Sequence, residues 1–396
     1  MNNRYIKIKE FAEVVTGGTP NTKKSEYWSD GNIPWLPSGA CKDSTIYKSD
    51  TFITQLGLDN SSAKMMPKGT VIIALTGATT GKLGILGIDA CANQSVTGII
   101  PNENFINKYL FYYLKSIREK ILNDSYGGAQ KHISQGYVKD IEVFLPDLMV
   151  QEKIANVLDK AQQLIDKRKE QIELLDELVK SRFIEMFGDP VTNPKGWKYP
   201  KIEEVVENEK NAIKAGPFGS ALKKEYYVDS GYKIYGQEQV ISGDVNFGDY
   251  YISEEKYREL ENCAVKSNDV LISLVGTYGK LLIIPETFEA GIINPRLMKI
   301  AFNKDIVNTI YFKYFFQSES LRNKLSDNTH GGTMPILNVG IVKNINIPVP
   351  PIELQNQFVD FVKQVDKLKS QMETSLKELE DNFNSLMQKA FKGELF

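Results

Sequence analysis

The chain of 396 residues is poor in the residues that most often carry chemistry. It has two histidines, His132 and His330, and three cysteines, Cys41, Cys91 and Cys263, which lie far apart without a C-x-x-C pair. Transition-metal sites need Cys and His clustered at short spacing, and this pattern supplies none. The cysteines read instead as reduced, small apolar residues of a core. Charge of one sign is also lacking: the formal net charge is -2, so no global cationic field marks a nucleic-acid binder, although a locally basic groove stays compatible with it. No apolar run approaches the length of a membrane span, and the N-terminal MNNRYIKIKEFAEV has no signal-peptide core. The expected location is the cytoplasm, with no membrane partner.

What the chain does have is glycine in telling places. The stretch ALTGATTGKLGIL, residues 74–86, resembles a phosphate-binding P-loop, which requires G-x-x-x-x-G-K followed by Ser or Thr. Here Gly77 to Gly81 is one residue short, and Leu83 stands where the magnesium-binding hydroxyl belongs. The same pattern returns as LISLVGTYGKLLII at 271–284 with only two residues between Gly276 and Gly279. A motif that recurs with a shrinking loop reads as a hairpin of a duplicated domain.

The duplication runs through most of the chain. TGGTPNTKKSEYW (16–28) matches AGPFGSALKKEYY (215–227), with Lys23-Lys24 set against Lys223-Lys224 at an offset of 200. NKYLFYYLKS (107–116) matches TIYFKYFFQS (309–318), and 127–158 matches 331–362 without a gap at an offset of 204. Each repeat opens with short apolar runs broken by Gly, Pro and Asn, the pattern of a mixed α/β domain richer in strand than helix. Each closes on a long segment without Pro or Gly. In the first, Ile154, Leu158, Ala161, Ile165, Ile172, Leu175, Val179 and Met186 alternate by four and three, interrupted at Arg168 and Arg182. In the second, Phe358, Val362, Val365, Met372, Leu376, Leu379, Phe383, Leu386 and Ala390 do the same, broken at Lys369. These are heptad seams of helices about 55–60 Å long. The expected fold is mixed α/β, with two similar domains, 1–147 and 188–351, separated by long antiparallel coiled-coil helices, 148–187 and 352–396, in a pseudo-two-fold duplication. A dumbbell of two heads held at a fixed separation suits an extended, repetitive target such as duplex DNA.

Four features carry a family resemblance: the Leu-Pro or Pro-Pro approach to each helix, the following Gln151 and Gln355, the Gly-Gly-x-x-x-x-[Ile/Leu] loops, and the C-terminal AFKGEL. The whole chain resembles the specificity (S) subunit of type I restriction–modification systems. The resemblance implies two target recognition domains, each reading half of a bipartite double-stranded DNA site. It implies as partners two adenine methyltransferase subunits and, in the full complex, two restriction/translocase subunits. It implies no cofactor on this chain: S-adenosylmethionine is expected in the methyltransferase, ATP and Mg in the restriction subunit.

The residues agree that no catalytic centre is legible. NPK at 193–195 and NPR at 294–296 are not the Asn/Asp-Pro-Pro-aromatic element of adenine methyltransferases, and Pro146-Asp147 is followed by Glu152-Lys153 at the wrong spacing for a nuclease. The competing readings are a nucleotide-hydrolysing enzyme built on 77–82 and a coiled-coil scaffold for proteins alone. Under the DNA reading, Lys23, Lys24, Lys223 and Lys224 beside the glycine-rich turns suit phosphate contact, as do Lys82 and Lys280 on the hairpins. Gln130, Lys131 and His132 in one Gly-Gly loop, against Thr333 and Met334 in the other, are candidate base readers, with Arg296 and Asn294 or Asn93-Gln94 as alternatives.

Overall fold

The apolar runs beside the glycine-rich turns are the central strands of two sheets. In the computed structural model residues 5–127, 131–274, 280–327 and 337–395 are described. The chain divides into two compact units, Met1–Glu170 with Glu373–Phe396, and Gln171–Met372. No helix among the described residues is long and apolar enough to cross a membrane.

In the first unit the strand Val71–Ala74 is fully buried on both faces, which is why it reads as a continuous apolar run rather than an alternation. Val71 and Ile73 join the cluster formed with the aromatic helix Asn107–Ser116, whereas Ile72 and Ala74 face Val15, Leu36, Ile46 and Leu86. The strand is the middle of a five-stranded sheet. Its order is Val14–Thr16, Val96–Ile99, Val71–Ala74, Leu83–Leu86 and Ser44–Ile46, antiparallel except for the last pair. A smaller three-stranded sheet is built on Ile33–Leu36.

The second unit repeats the plan. Val270–Ser273 is central in a four-stranded sheet with Ile213–Ala215, Leu297–Ile300 and Leu281–Ile283. Val270 and Ile272 face the aromatic helix Thr309–Phe316, and Leu271 faces the opposite side. Tyr232–Tyr235 takes the place of Ile33–Leu36, pairing in parallel with Gly291–Ile293 as Ile33–Leu36 does with Cys91–Ala92.

The two Pro- and Gly-free segments are single helices, Leu148–Phe187 and Ile352–Phe391. Each gives one half to each unit. Within the first unit Lys169 pairs with Glu380 at 2.8 Å, and Ile154, Leu158 and Ile165 share a core with Phe383 and Met387. Within the second, Lys369 meets Asp176 at 2.7 Å while Phe358 lies against Phe183 at 5.5 Å, an antiparallel register. Lys369, which breaks the seam in sequence, is thereby paired, and Arg182 lies over the Phe361 ring. The heptad pattern is incomplete as a list of buried positions. Phe183, Phe187, Met387 and Phe391 are buried as well, because each half-helix packs on the aromatic helix of its unit besides the other long helix.

A glutamine ties each long helix to its unit. Gln151 accepts a hydrogen bond from the Ile106 amide at the start of the aromatic helix (2.8 Å) and donates to the Pro146 carbonyl (2.8 Å). Gln355 accepts from the Asn308 amide and donates to the carbonyls of Ile306 and Pro350, each at 2.9 Å. Both side chains are essentially fully buried, so each caps an orphan helix amide that water cannot reach. The hydroxyls of Tyr109 and Tyr311 complete the joint by donating to Phe144 and Pro348 carbonyls.

Candidate nucleic-acid interface

In each unit a glycine-bearing turn and an Asn-led turn meet at one end of the main sheet. In the first, the amide of Gly17, just past Val14–Thr16, donates to Val96 O (3.0 Å), Leu75 N to Ser95 O (2.8 Å), and Ile133 N to Leu75 O (2.9 Å). That chain of bonds sets the turn 16–20, the loop 93–95, the hairpin tip 76–82 and the loop ending at 133 side by side. Gly17 is required there, since a Cβ would collide with the Ala92 carbonyl.

The glycine-rich tip offers no cradle for a phosphate. The amides of Gly77, Thr80, Gly81 and Lys82 already donate to Lys131, Gly77, Ala74 and Thr79 carbonyls at 2.8–3.1 Å. A clamp that the sequence does not reveal holds this tip. Arg118 spans Asp43 with both terminal nitrogens, one at 2.8 Å, and its Nε donates to Gly81 O at 3.0 Å. Asp43 in turn accepts the Leu83 amide at 3.0 Å. Lys82 projects into solvent. The Lys131 carbonyl anchors the tip, taking bonds from Gly77 N and Thr80 Oγ1 and leaving the Lys131 side chain exposed. His132 exchanges backbone bonds with Tyr126 (3.0 and 2.8 Å), and the two rings meet edge to face at 5.0 Å.

The second unit builds the same edge with other side chains. Gly216 N donates to Leu297 O and Leu274 N to Arg296 O, each at 2.9 Å, and a Cβ on Gly216 would strike the Asn294 carbonyl. Asn294 and its counterpart Asn93 both spend their side-chain oxygens on the turn, accepting Arg296 N (2.9 Å) and Ser95 N (3.1 Å). Arg296 is exposed and reaches Gln237 Oε1 at 3.3 Å, while Gln237 Nε2 donates to Ser273 Oγ at 2.8 Å. Gln237, at the start of the helix Gln237–Ser242, is a polar group that sequence reasoning missed, because nothing in the first repeat corresponds to it in residue type. Lys280 is exposed at the base of the hairpin. Gln130, Thr333 and Met334 lie outside the described residues.

The lysine pairs match with a shift of one from the sequence alignment. The one-turn helices Ser25–Tyr27 and Lys224–Tyr226 are preceded by Lys24 and Lys223, an offset of 199. Each of these lysines faces the acid two residues on, Lys24 to Glu26 at 3.8 Å and Lys223 to Glu225 at 3.7 Å. Lys24 Nζ also donates to the Tyr27 hydroxyl at 3.0 Å, and Lys23 and Lys224 are exposed.

Behind the edge the core carries no reactive thiol. All three cysteines are unpaired and buried, and burial pushes the Cys41 and Cys91 thiols up to about 12 and about 11. No group of three or more His, Cys, Asp and Glu among the described residues is placed to hold a metal ion.

The family model of the type I restriction modification DNA specificity domain matches this chain twice, over residues 2–174 and 194–381. The chain is 24% identical to the Type I restriction enzyme MjaIX specificity subunit of Methanocaldococcus jannaschii, covering 98% of this chain and 92% of that one. It is 22% identical to the EcoKI specificity subunit of Escherichia coli, over 93% and 84% of the two chains. Among solved structures, the S subunit of a type I system from M. genitalium aligns with TM-score 0.52 and 16% identity over 98% of this chain and 96% of that one. A chain from work on complex assembly and conformational transition of the type I R-M system aligns with TM-score 0.66 and 18% identity, over 99% and 98%. With a family match in each repeat on a fold built twice around the same loop-bearing sheet edge, the chain belongs to the type I restriction–modification DNA specificity subunits.

Proposed function

We propose that this subunit has no catalytic centre of its own and that each unit reads one half of a bipartite duplex site. It docks two adenine methyltransferase subunits and, in the full complex, two restriction/translocase subunits. S-adenosylmethionine then belongs to the methyltransferase, and ATP and Mg to the restriction subunit. The observation that carries the reading is the repeated sheet edge. Among the described residues the same backbone bonds recur in both units, Gly17 to Val96 and Leu75 to Ser95 in one, Gly216 to Leu297 and Leu274 to Arg296 in the other, whereas the side chains differ, with Thr19 and Ser95 set against Phe218 and Arg296. Two readers of unlike half-sites require that combination, a shared frame positioned on phosphates and divergent groups turned to base edges. A nucleotide-hydrolysing reading is disfavoured by the consumed amides of the 77–82 tip.

The test is to map methylated adenines in cells carrying the system, then to exchange residues 1–146 for the corresponding part of a relative. One half-site should change and the other stay. A change in both half-sites would refute independent reading.

A further inference from the structure

Phe218 is 90% exposed, more than any other large hydrophobic residue described. Its turn is nonetheless tied to the sheet on its N-terminal side. Gly216 is bonded to Leu297, Pro217 is buried, and the Ala221 amide closes the turn on the Phe218 carbonyl at 2.8 Å. A hydrogen-bonded turn therefore presents a bare phenyl ring to water, where leaving it uncovered forgoes the gain of burial. The ring belongs to the turn that leads to Lys223, whose Gly216 lies against the Asn294 carbonyl on the loop-bearing edge of the second unit. In the first unit the corresponding Thr19 is only half exposed and donates a hydrogen bond to Gln94.

We infer that Phe218 is an aromatic wedge, inserted against the base stack of the half-site read by the second unit and opening one base step. The inference rests on the proposed DNA-reading role. A phenyl ring has no hydrogen bond to offer a base edge and nothing to gain from a phosphate. On a duplex its complementary surfaces are the base faces, and apolar wedges on minor-groove and architectural proteins use them by partly unstacking a step. The neighbouring cations would hold the backbone while the ring enters. At the corresponding position of the first unit a threonine engaged by Gln94 stands in place of the ring.

The experiment uses the full chain assembled with its methyltransferase partner and a duplex carrying the mapped site. 2-Aminopurine is placed in turn at each position of the second half-site other than the methylated adenine. The wild-type complex should show a fluorescence rise at one step. Phe218→Ala should abolish it and weaken binding to the cognate duplex by about ten- to a hundredfold, with an unchanged unfolding temperature. Phe218→Leu, an aliphatic wedge, should keep most of the signal. A wild-type complex that prefers its mapped site yet shows no rise at any step overturns the wedge while leaving DNA reading in place, as does a Phe218→Ala complex that binds as tightly as wild type. A wild-type complex that does not distinguish the mapped site from a scrambled duplex overturns both.

Discussion

The same two neighbouring positions in the two sheets are filled in opposite ways. In the first unit they are Thr70, bonded to the Pro67 carbonyl at 2.6 Å, and Gly98, under the Met66 thioether and the Thr70 methyl. In the second they are Asp269 and Lys299, both buried, 3.5 Å apart, with Lys299 Nζ donating to Ala264 O at 2.6 Å. Burial pushes the Asp269 carboxyl up from its ordinary value, and the Lys299 charge pulls against it. The glutamine joints and the strand register, in contrast, are kept in both. Duplication has preserved the backbone joints and let each core find its own side-chain solution.

The largest test of this contrast is truncation at the two positions. Asp269→Ala strands a buried ammonium and should cost the second unit about 3–5 kcal/mol, while Thr70→Ala loses one hydrogen bond and should cost the first about 1 kcal/mol. Both are read by denaturant unfolding. The double change D269T/K299G, which copies the first unit, should recover part of the loss, because the single change leaves a charge behind and the double does not. Equal costs at the two sites would erase the distinction.

A middle-sized effect is expected where the units agree. Gln355→Ala leaves one amide and two carbonyls without their partner, and should cost about 2–3 kcal/mol. Gln151→Ala leaves one of each, so its cost should be smaller, about 2 kcal/mol. Unfolding midpoints in the reverse order would show that the two joints are not equivalent.

The smallest effect concerns the lysines and decides their register. If Lys24 and Lys223 are equivalent phosphate contacts, K24A and K223A should each lower affinity a few-fold on cognate and unrelated DNA alike and reduce the salt slope by about one. Matching slopes for K24A and K224A instead would restore the offset of 200 read from the sequence.

The long helices, the central strands and the duplicated hairpins were legible because each is a periodic pattern over consecutive residues. The aromatic contacts of Phe183 and Phe187 were less so, since a seven-residue period describes a helix with one partner and these helices have two. The Asp43–Arg118 clamp joins residues 75 apart in the chain and leaves no local signature. Lys23-Lys24 and Lys223-Lys224 look alike as letters, and only the turns that follow them fix which lysine matches which. Exposure was beyond the sequence altogether: Phe218 and Phe187 are the same residue type, one in water and one 1% exposed.

The split of each long helix between the units also sets an order in time. The second unit is one continuous stretch, Gln171–Met372, and can close as it leaves the ribosome. The first unit waits for Phe383 and Phe391, whose rings lie against Tyr112 at 6.0 Å and against Tyr109 and Tyr113 at 5.5 and 5.2 Å. At roughly 5–20 residues per second, making the intervening stretch of about 200 residues takes on the order of 10–40 s. Through that interval the aromatic helix Asn107–Ser116 lacks part of its cover, exposed to chaperones and to other nascent chains. The domain begun first is the one finished last.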